Sequence, residues 1–353
     1  MLLFNWRDIK NPQAGGAEVY THQIMKRLVE RGHEVTIFSS MFEGGLKEER
    51  IDGITVVRSG SRYSVYRRAG QFYNSSKVRY DVVIDEINTV PFMTPRFVTR
   101  GERIVALIHQ LAREFWYYEM PYPVAWMGYN YFERKWLSRY RDIQTVTVSD
   151  STRNELLEMG FKNVIIVPNG LNVTKLDKVP PKTSHPSMIF VGRMKKAKCP
   201  HHVVEAYRIL KQRFPDLTLV AAGDGYLRSE LQKANPDIEF LGYVDRETRD
   251  SRVRESWVIA VPGVREGWGQ VVTDANALGT PAVGYNIPGL RDSIKDGYNG
   301  LLTPPTPVDL SNGIARLLGD ERLRMEMGNN GLEWAGRFSW DVSADAFEKL
   351  LKS

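Results

Sequence analysis

Short apolar runs alternate with longer amphipathic stretches along most of the chain. Met1–Trp6 reads as a buried strand. Further strands are predicted at Val35–Ser39, Thr55–Arg58, Val82–Asp85, Ile104–Ile108, Gln144–Val148 and Val164–Val167, with helical segments between most of them. The first helix opens at Gly15-Gly16, carries an apolar face of Val19, Ile24, Leu28 and Val29, and stops at Gly32. Such alternation predicts a parallel, doubly wound sheet. Residues 171–187 break it, because Pro180, Pro181 and Pro186 among small polar residues mark an interdomain linker. A second alternation begins at Met188. Its strands fall near Ile189–Val191, Thr218–Ala221, Ile238–Leu241, Val258–Val261, Ala282–Tyr285 and Leu301–Leu302. Helices are expected at Pro200–Arg213, Leu227–Ala234, Pro307–Leu318, Glu321–Arg337 and Val342–Leu351. The expected architecture is α/β: two Rossmann-like α/β/α domains, 1–170 and 188–337, joined by the linker and facing across a cleft.

The chemistry concentrates at predicted strand ends. Pro262–Gly284 reads as a glycine loop, a helix over Gln270–Leu278 with apolar Val271, Val272, Ala275 and Leu278, a stop at Gly279-Thr280-Pro281, and a strand. A helix N-terminus behind a glycine loop suits an anion. The acids Glu266 and Asp274 beside it suit hydroxyl groups, so a ligand bearing both phosphate and hydroxyls meets both demands. The first strand of the second domain ends in Gly192-Arg193, with Lys195, Lys196 and Lys198 after it. Arginine binds two oxygens in its plane and lysine acts as a point charge, which suits a diphosphate. The next strand ends in Gly223-Asp224-Gly225, and the one after in Tyr243-Val244, placed to cover a base. Any one of these loops is ordinary; four on one side of a sheet are not.

Bulk properties change the picture little. The chain has 353 residues, one cysteine (Cys199) and a net charge of +6. Two domains are expected, no intramolecular disulfide can form, and anionic partners are favoured. No signal peptide and no membrane-spanning run is expected from the pattern, which points to the cytoplasm. The glycine turn at Gly15-Gly16 is not the dinucleotide fingerprint, since G-x-G-x-x-G is missing and no acid closes the second strand. No D-x-D-like pair and no His/Cys cluster with ligand spacing is present, so no metal is expected.

Taken together, the motifs resemble those of the retaining family 4 glycosyltransferases (glycosyl transferases group 1), which have the GT-B fold. The residues are G-G-A-E at Gly15–Glu18, His109-Gln110, V-P-N-G at Val167–Gly170, G-R-x(4)-K at Gly192–Lys198, G-D-G at Gly223–Gly225, and the E-G-W-G…D-A-N-A-L-G-T-P loop and helix. One departure is visible: the family carries two glutamates separated by seven residues, and the second is here the shorter Asp274.

The resemblance implies a metal-independent hexosyltransferase that moves a sugar from a UDP- or GDP-sugar, with no other cofactor. Arg193 and Lys198 would bind the diphosphate and stabilise the leaving group, helped by Gly15 and Gly16. Glu266 and His109 would act beside the transferred sugar. Asn169, Gly192, Asp224, Gly225, Tyr243, Val244, Gly267, Trp268, Gly269, Gln270 and Asp274 would complete the donor site, Asp274 on the ribose. The helix over 338–353 would pack back on the first domain. A catalytically silent nucleotide-sugar-binding subunit and a sugar-nucleotide epimerase are the alternatives.

The first domain has a second peculiarity. Arg58, Arg62, Arg67, Arg68, Lys77 and Arg79 are interleaved with Tyr63, Tyr66, Phe72 and Tyr73, and 113–141 is crowded with aromatics. Three readings are open: packed helices with a solvated basic face, peripheral contact with an anionic membrane, or single-stranded nucleic acid. With the resemblance, a glycan, lipid-linked or small-molecule acceptor is expected, with contact at the cytoplasmic face of an anionic membrane, and no nucleic acid.

Overall fold

The computed structural model describes residues 1–352 and divides into two compact units. The first comprises Met1–Trp116, Pro121–Gly170 and the segment beginning at Ser339; the second comprises Tyr117–Met120 and Leu171–Phe338.

The first unit is built on strands β1 (Leu2–Phe4), β2 (Thr36–Ser39), β3 (Glu48–Ile51), β4 (Ile54–Arg58), β5 (Val82–Glu86), β6 (Arg103–Leu107), β7 (Gln144–Thr147) and β8 (Val164–Ile166), in the order β3-β4-β2-β1-β5-β6-β7-β8. All neighbours run parallel except the β3–β4 hairpin. The apolar runs form the central strands because both faces of a parallel sheet are covered. β3 does not appear in the apolar pattern, since its Glu-Glu-Arg-Ile is an edge strand with Glu48 and Arg50 exposed to water. Its turn, Asp52-Gly53, has both residues at positive φ (47° and 81°), the hairpin geometry that Asp-Gly favours.

The helix Gly16–Glu30 buries only part of the apolar face, Ile24 and Leu28, together with other residues. Tyr20, Ile24, Met25 and Leu28 go inside with Glu18, Thr21 and His22, whereas Val19 and Val29 are only half-buried. The polar residues are admitted because they are met: Glu18 accepts from Arg7 Nε at 2.9 Å and from the Gly15 amide at 2.7 Å, and Thr21 donates to Glu86 at 2.7 Å. The helix Trp340–Lys352 packs on this one. Arg27 reaches Asp341 at 2.6 Å, Arg31 reaches Asp345 at 2.6 Å, and Ser343 donates to the Pro168 carbonyl at 2.7 Å. Gly170 is obligatory there, since a Cβ would lie 2.3 Å from the Trp340 nitrogen.

The basic-aromatic stretch divides in two. Arg58 leaves it: its side chain is fully buried, with Nε 2.6 Å from Asp8 and Nη1 2.5 Å from Glu49. Tyr73, Trp116 and Tyr140 are core residues. What stays outside is Tyr63, Tyr117, Tyr118, Tyr122, Trp126 and Tyr131. The aromatic stretch is a chain of short helices with a π-helical turn at Gly128–Phe132, and Gly128 lies where a Cβ would meet the Trp116 ring at 2.4 Å. Among the described residues no helix is long and apolar enough to cross a membrane.

The second unit is a six-stranded, fully parallel sheet of β9 (Ser187–Val191), β10 (Thr218–Ala222), β11 (Glu239–Gly242), β12 (Val258–Val261), β13 (Ala282–Tyr285) and β14 (Gly300–Thr303), in the order β11-β10-β9-β12-β13-β14. The strand order reverses between β9 and β12. In such sheets the loops leaving the carboxyl ends at that point form a crevice.

Burial pushes the Asp8 carboxyl up, but hydrogen bonds from Arg58 and Ser39 outweigh it, so its pKa lies below the usual range. A depressed carboxylate contributes stability above its unfolded pKa of about 3.9 and loses it as the pH falls through the folded value. Arg58→Ala should therefore cost about 3–5 kcal/mol in urea unfolding at pH 7, and much less near pH 3. An equal cost at both pH values would contradict the assignment.

Candidate functional site

The carboxyl-end loops of β9 and β10 are zipped together. Gly192 donates to the Ala222 carbonyl at 3.0 Å, Met194 to Asp224 at 2.9 Å, and Leu227 to Met194 at 3.0 Å. The approach is so close that a Cβ on Gly223 (φ +135°) would lie 2.0 Å from the Gly192 carbonyl oxygen, and one on Gly225 2.5 Å from that of Met194. The glycines are thus required by backbone packing. Asp224 is a turn residue in this state, accepting from the Gly225 amide at 2.7 Å and facing Arg228 at 3.4 Å. Tyr243 after β11 is 88% exposed and Val244 half-buried.

The loop after β12 joins this assembly. Val264 donates to the Ala197 carbonyl at 3.0 Å, and the Glu266 amide to Pro288 at 3.2 Å. Gly289 passes beneath it, where a Cβ would be 2.1 Å from the Glu266 carbonyl oxygen. These backbone contacts bring Lys198 and Glu266, 68 residues apart, into an ion pair. Arg193 lies half-buried at the start of the same β9 loop. Gly269 (φ +84°) is the N-cap of the helix Gln270–Ala277. Trp268 is 8% exposed and packs edge-to-face on Phe338 at 5.1 Å, and its indole Nε1 has no hydrogen-bond partner.

Asp274 is buried, and its carboxylate is occupied. Oδ1 accepts from the Asn172 amide at 3.0 Å and from Gln270 Nε2 at 3.0 Å, and Oδ2 accepts from Asn172 Nδ2 at 3.3 Å. Burial raises its pKa, and the bonds from Asn172 and Gln270 hold the rise back.

Of the first-unit candidates, Gly15 is the extended N-cap of the helix Gly16–Glu30, and Gly16 has open space where a Cβ would be. His109 is buried at the end of β6, 3.2 Å from Glu86 Oε1 and edge-to-face with Tyr20 at 4.9 Å. Burial raises the Glu86 pKa, and the bond from His109 opposes it. Asn169 is buried just after β8.

Sequence reasoning missed three participants. Asn172 lies in the stretch read as linker. Glu119 and Tyr226 meet on the β9 loop: Glu119 Oε1 accepts from the Ala197 amide at 3.1 Å, and the Tyr226 hydroxyl accepts from the Lys196 amide at 2.9 Å while facing Glu119 at 3.3 Å. Nothing in the local pattern marks any of them. Among the described residues no group of three His, Cys, Asp or Glu side chains converges as a metal site would.

Both halves of the chain match known families. Residues 14–175 match the family described as Glycosyltransferase Family 4, and residues 173–334 match Glycosyl transferases group 1. The phosphatidyl-myo-inositol mannosyltransferase of Mycobacterium leprae is 28% identical over 221 residues, 60% of this chain and 59% of that protein. The chain spans about three-fifths of the length of the curated relatives it matches, 58% and 59% in the first two. Sucrose-phosphate synthase from Thermosynechococcus elongatus superposes with a TM-score of 0.81 at 18% identity, covering 99% of this chain and 98% of that one. Anabaena HepE, solved in complex with UDP and glucose, gives 0.71 at 16% identity, covering 100% and 99%. The resemblance to family 4 and group 1 glycosyltransferases is borne out, and so is the GT-B fold.

Gly223→Ala should cost about 2–4 kcal/mol, through strain at positive φ and a backbone clash. Gly16→Ala, with room for the methyl in a helix, should be stabilising by up to about 1 kcal/mol. Urea unfolding of the two variants checks both; equal effects would contradict the packing argument.

Proposed function

For a chain whose two halves match the Family 4 and group 1 glycosyltransferases, we propose that it transfers a sugar from a nucleoside-diphosphate sugar, a UDP- or GDP-sugar, to an acceptor hydroxyl, with retention and without a metal. The observation that carries this reading is the meeting of Lys198 with Glu266 at the switch point of the second sheet, beside Arg193 and a helix N-terminus. HepE, whose structure holds UDP and glucose, supports the donor class.

In this reading Lys198 and Arg193 bind the diphosphate and offset the charge that grows on it as the bond to the anomeric carbon breaks, the type of stabilisation that usually carries most of the catalysis. Glu266, paired with Lys198 before the donor arrives, turns to the sugar hydroxyls when phosphate takes the lysine. The acceptor oxygen bonds to the anomeric carbon on the face the leaving phosphate departs from, and its proton passes to a phosphate oxygen. His109, which faces Glu86 at 3.2 Å, is the first-unit residue proposed to act on the transferred sugar. The exposed Tyr122, Trp126 and Tyr131, with Arg67 and Arg68, support a lipid-linked acceptor reached at an anionic membrane surface.

Thermal-shift titration with UDP-, GDP- and ADP-sugars is the first test. A donor at about 100 times its dissociation constant should add about 2.7 kcal/mol. Arg193→Ala and Lys198→Ala should each lower kcat/KM by about 10²–10³-fold. No shift with any donor, or inversion at the anomeric carbon, would refute the corresponding part. Binding to vesicles containing anionic lipid should be strong at low salt and weaken on adding salt or on Trp126→Ala; no binding at low salt removes the membrane reading.

A further inference from the structure

The donor's ribose presents two neighbouring hydroxyls, and a carboxylate that meets both must have free acceptor sites. A carboxylate has about four. At Asp274 three are already filled, by the Asn172 amide, Asn172 Nδ2 and Gln270 Nε2. One remains, and the side chain is one methylene shorter than glutamate. Asp274 alone therefore cannot hold a vicinal diol.

Asn172 has the missing acceptor. Its side-chain nitrogen must face Asp274, because the opposite amide orientation would set two acceptors against each other. That fixes where the side-chain oxygen is: on the same amide group, next to the Asp274 carboxylate. This Oδ1 is shut off from solvent and has no hydrogen-bond partner. Leaving a buried carbonyl unpaired costs about 1–3 kcal/mol, a cost the chain could avoid with many other residues at this position. A bound hydroxyl would remove it.

We propose that Asn172 is a ribose-recognition residue: its Oδ1 accepts one hydroxyl of the diol and Asp274 accepts the other, so that recognition is shared between the stretch after β8 and the helix Gln270–Ala277. The inference rests on the nucleotide-sugar reading given above, and names who reads the ribose within it. Asn172 also positions Asp274, through the two bonds it donates.

The test is isothermal titration of the nucleoside diphosphate that binds best, alongside its 2′-deoxy and 3′-deoxy analogues, against the wild-type chain and Asn172→Ala. In the wild type each deoxygenation should weaken binding about tenfold. In Asn172→Ala the parent nucleotide should bind about tenfold more weakly, and one of the two deoxy penalties should vanish while the other stays. Asn172→Ser, which retains an oxygen but is shorter, gives the same comparison if the alanine variant does not fold. A variant that weakens the parent and both analogues by one common factor has only a structural role at this position, and overturns the inference. Binding of no nucleoside diphosphate by the wild type overturns the donor reading itself, which makes the two failures distinguishable.

Discussion

A carboxylate taken out of water has to be met by donors, and this chain takes Asp8, Glu18, Asp85, Glu86, Glu133 and Asp274 inside. The way each is met ties together segments far apart in sequence. Asp85 accepts from Tyr140 at 2.5 Å and from Thr94 and the Phe92 amide, so one side chain fixes the loop after β5 and the stretch before β7. Its neighbour Glu86 takes Thr21 from the first helix and His109 from the end of β6. Glu133 caps the Ala112 and Arg113 amides at 2.5 and 3.0 Å. The loops at the carboxyl ends of the first sheet are therefore held by acids that the hydrophobic pattern cannot reveal. A missing donor at any of them would leave a charge without a partner.

The second unit solves a different problem. Its loops are held by backbone, with glycines where a neighbouring loop's backbone passes 2.0–2.5 Å from where a Cβ would lie. Side chains are then free to face a ligand, and Lys198 and Glu266 neutralise each other in its absence. The cationic loop also meets the chain's own Glu119 at the Ala197 amide, so its charge is partly answered within the second unit.

Most of the framework was legible because parallel strands buried on both faces are continuous apolar runs. Val258–Val261 and Ala282–Tyr285 are found with the bounds the pattern implies, and the other strands shift by a residue or two. β3 escaped because an exposed edge is polar, although Asp52-Gly53 was a readable turn. Arg58 reads as one more exposed cation and is instead fully buried; Asp8, 50 residues away, and Glu49 together explain it. The motifs located the loops of the candidate site. They did not locate Asn172, Glu119 or Tyr226, whose significance lies entirely in long-range partners. Asp274 was legible as an acid but not as one already engaged.

The first unit is completed by the helix Trp340–Lys352, which covers Tyr20 and closes over Gly170. During synthesis that helix leaves the ribosome only after the whole of the second unit. A domain usually folds as a unit once its residues are available. Here the N-terminal one must wait, with the site of Trp340 uncovered, for some 170 residues to be made, while the second unit has all its residues by Phe338. The order of folding should thus run against the order of translation.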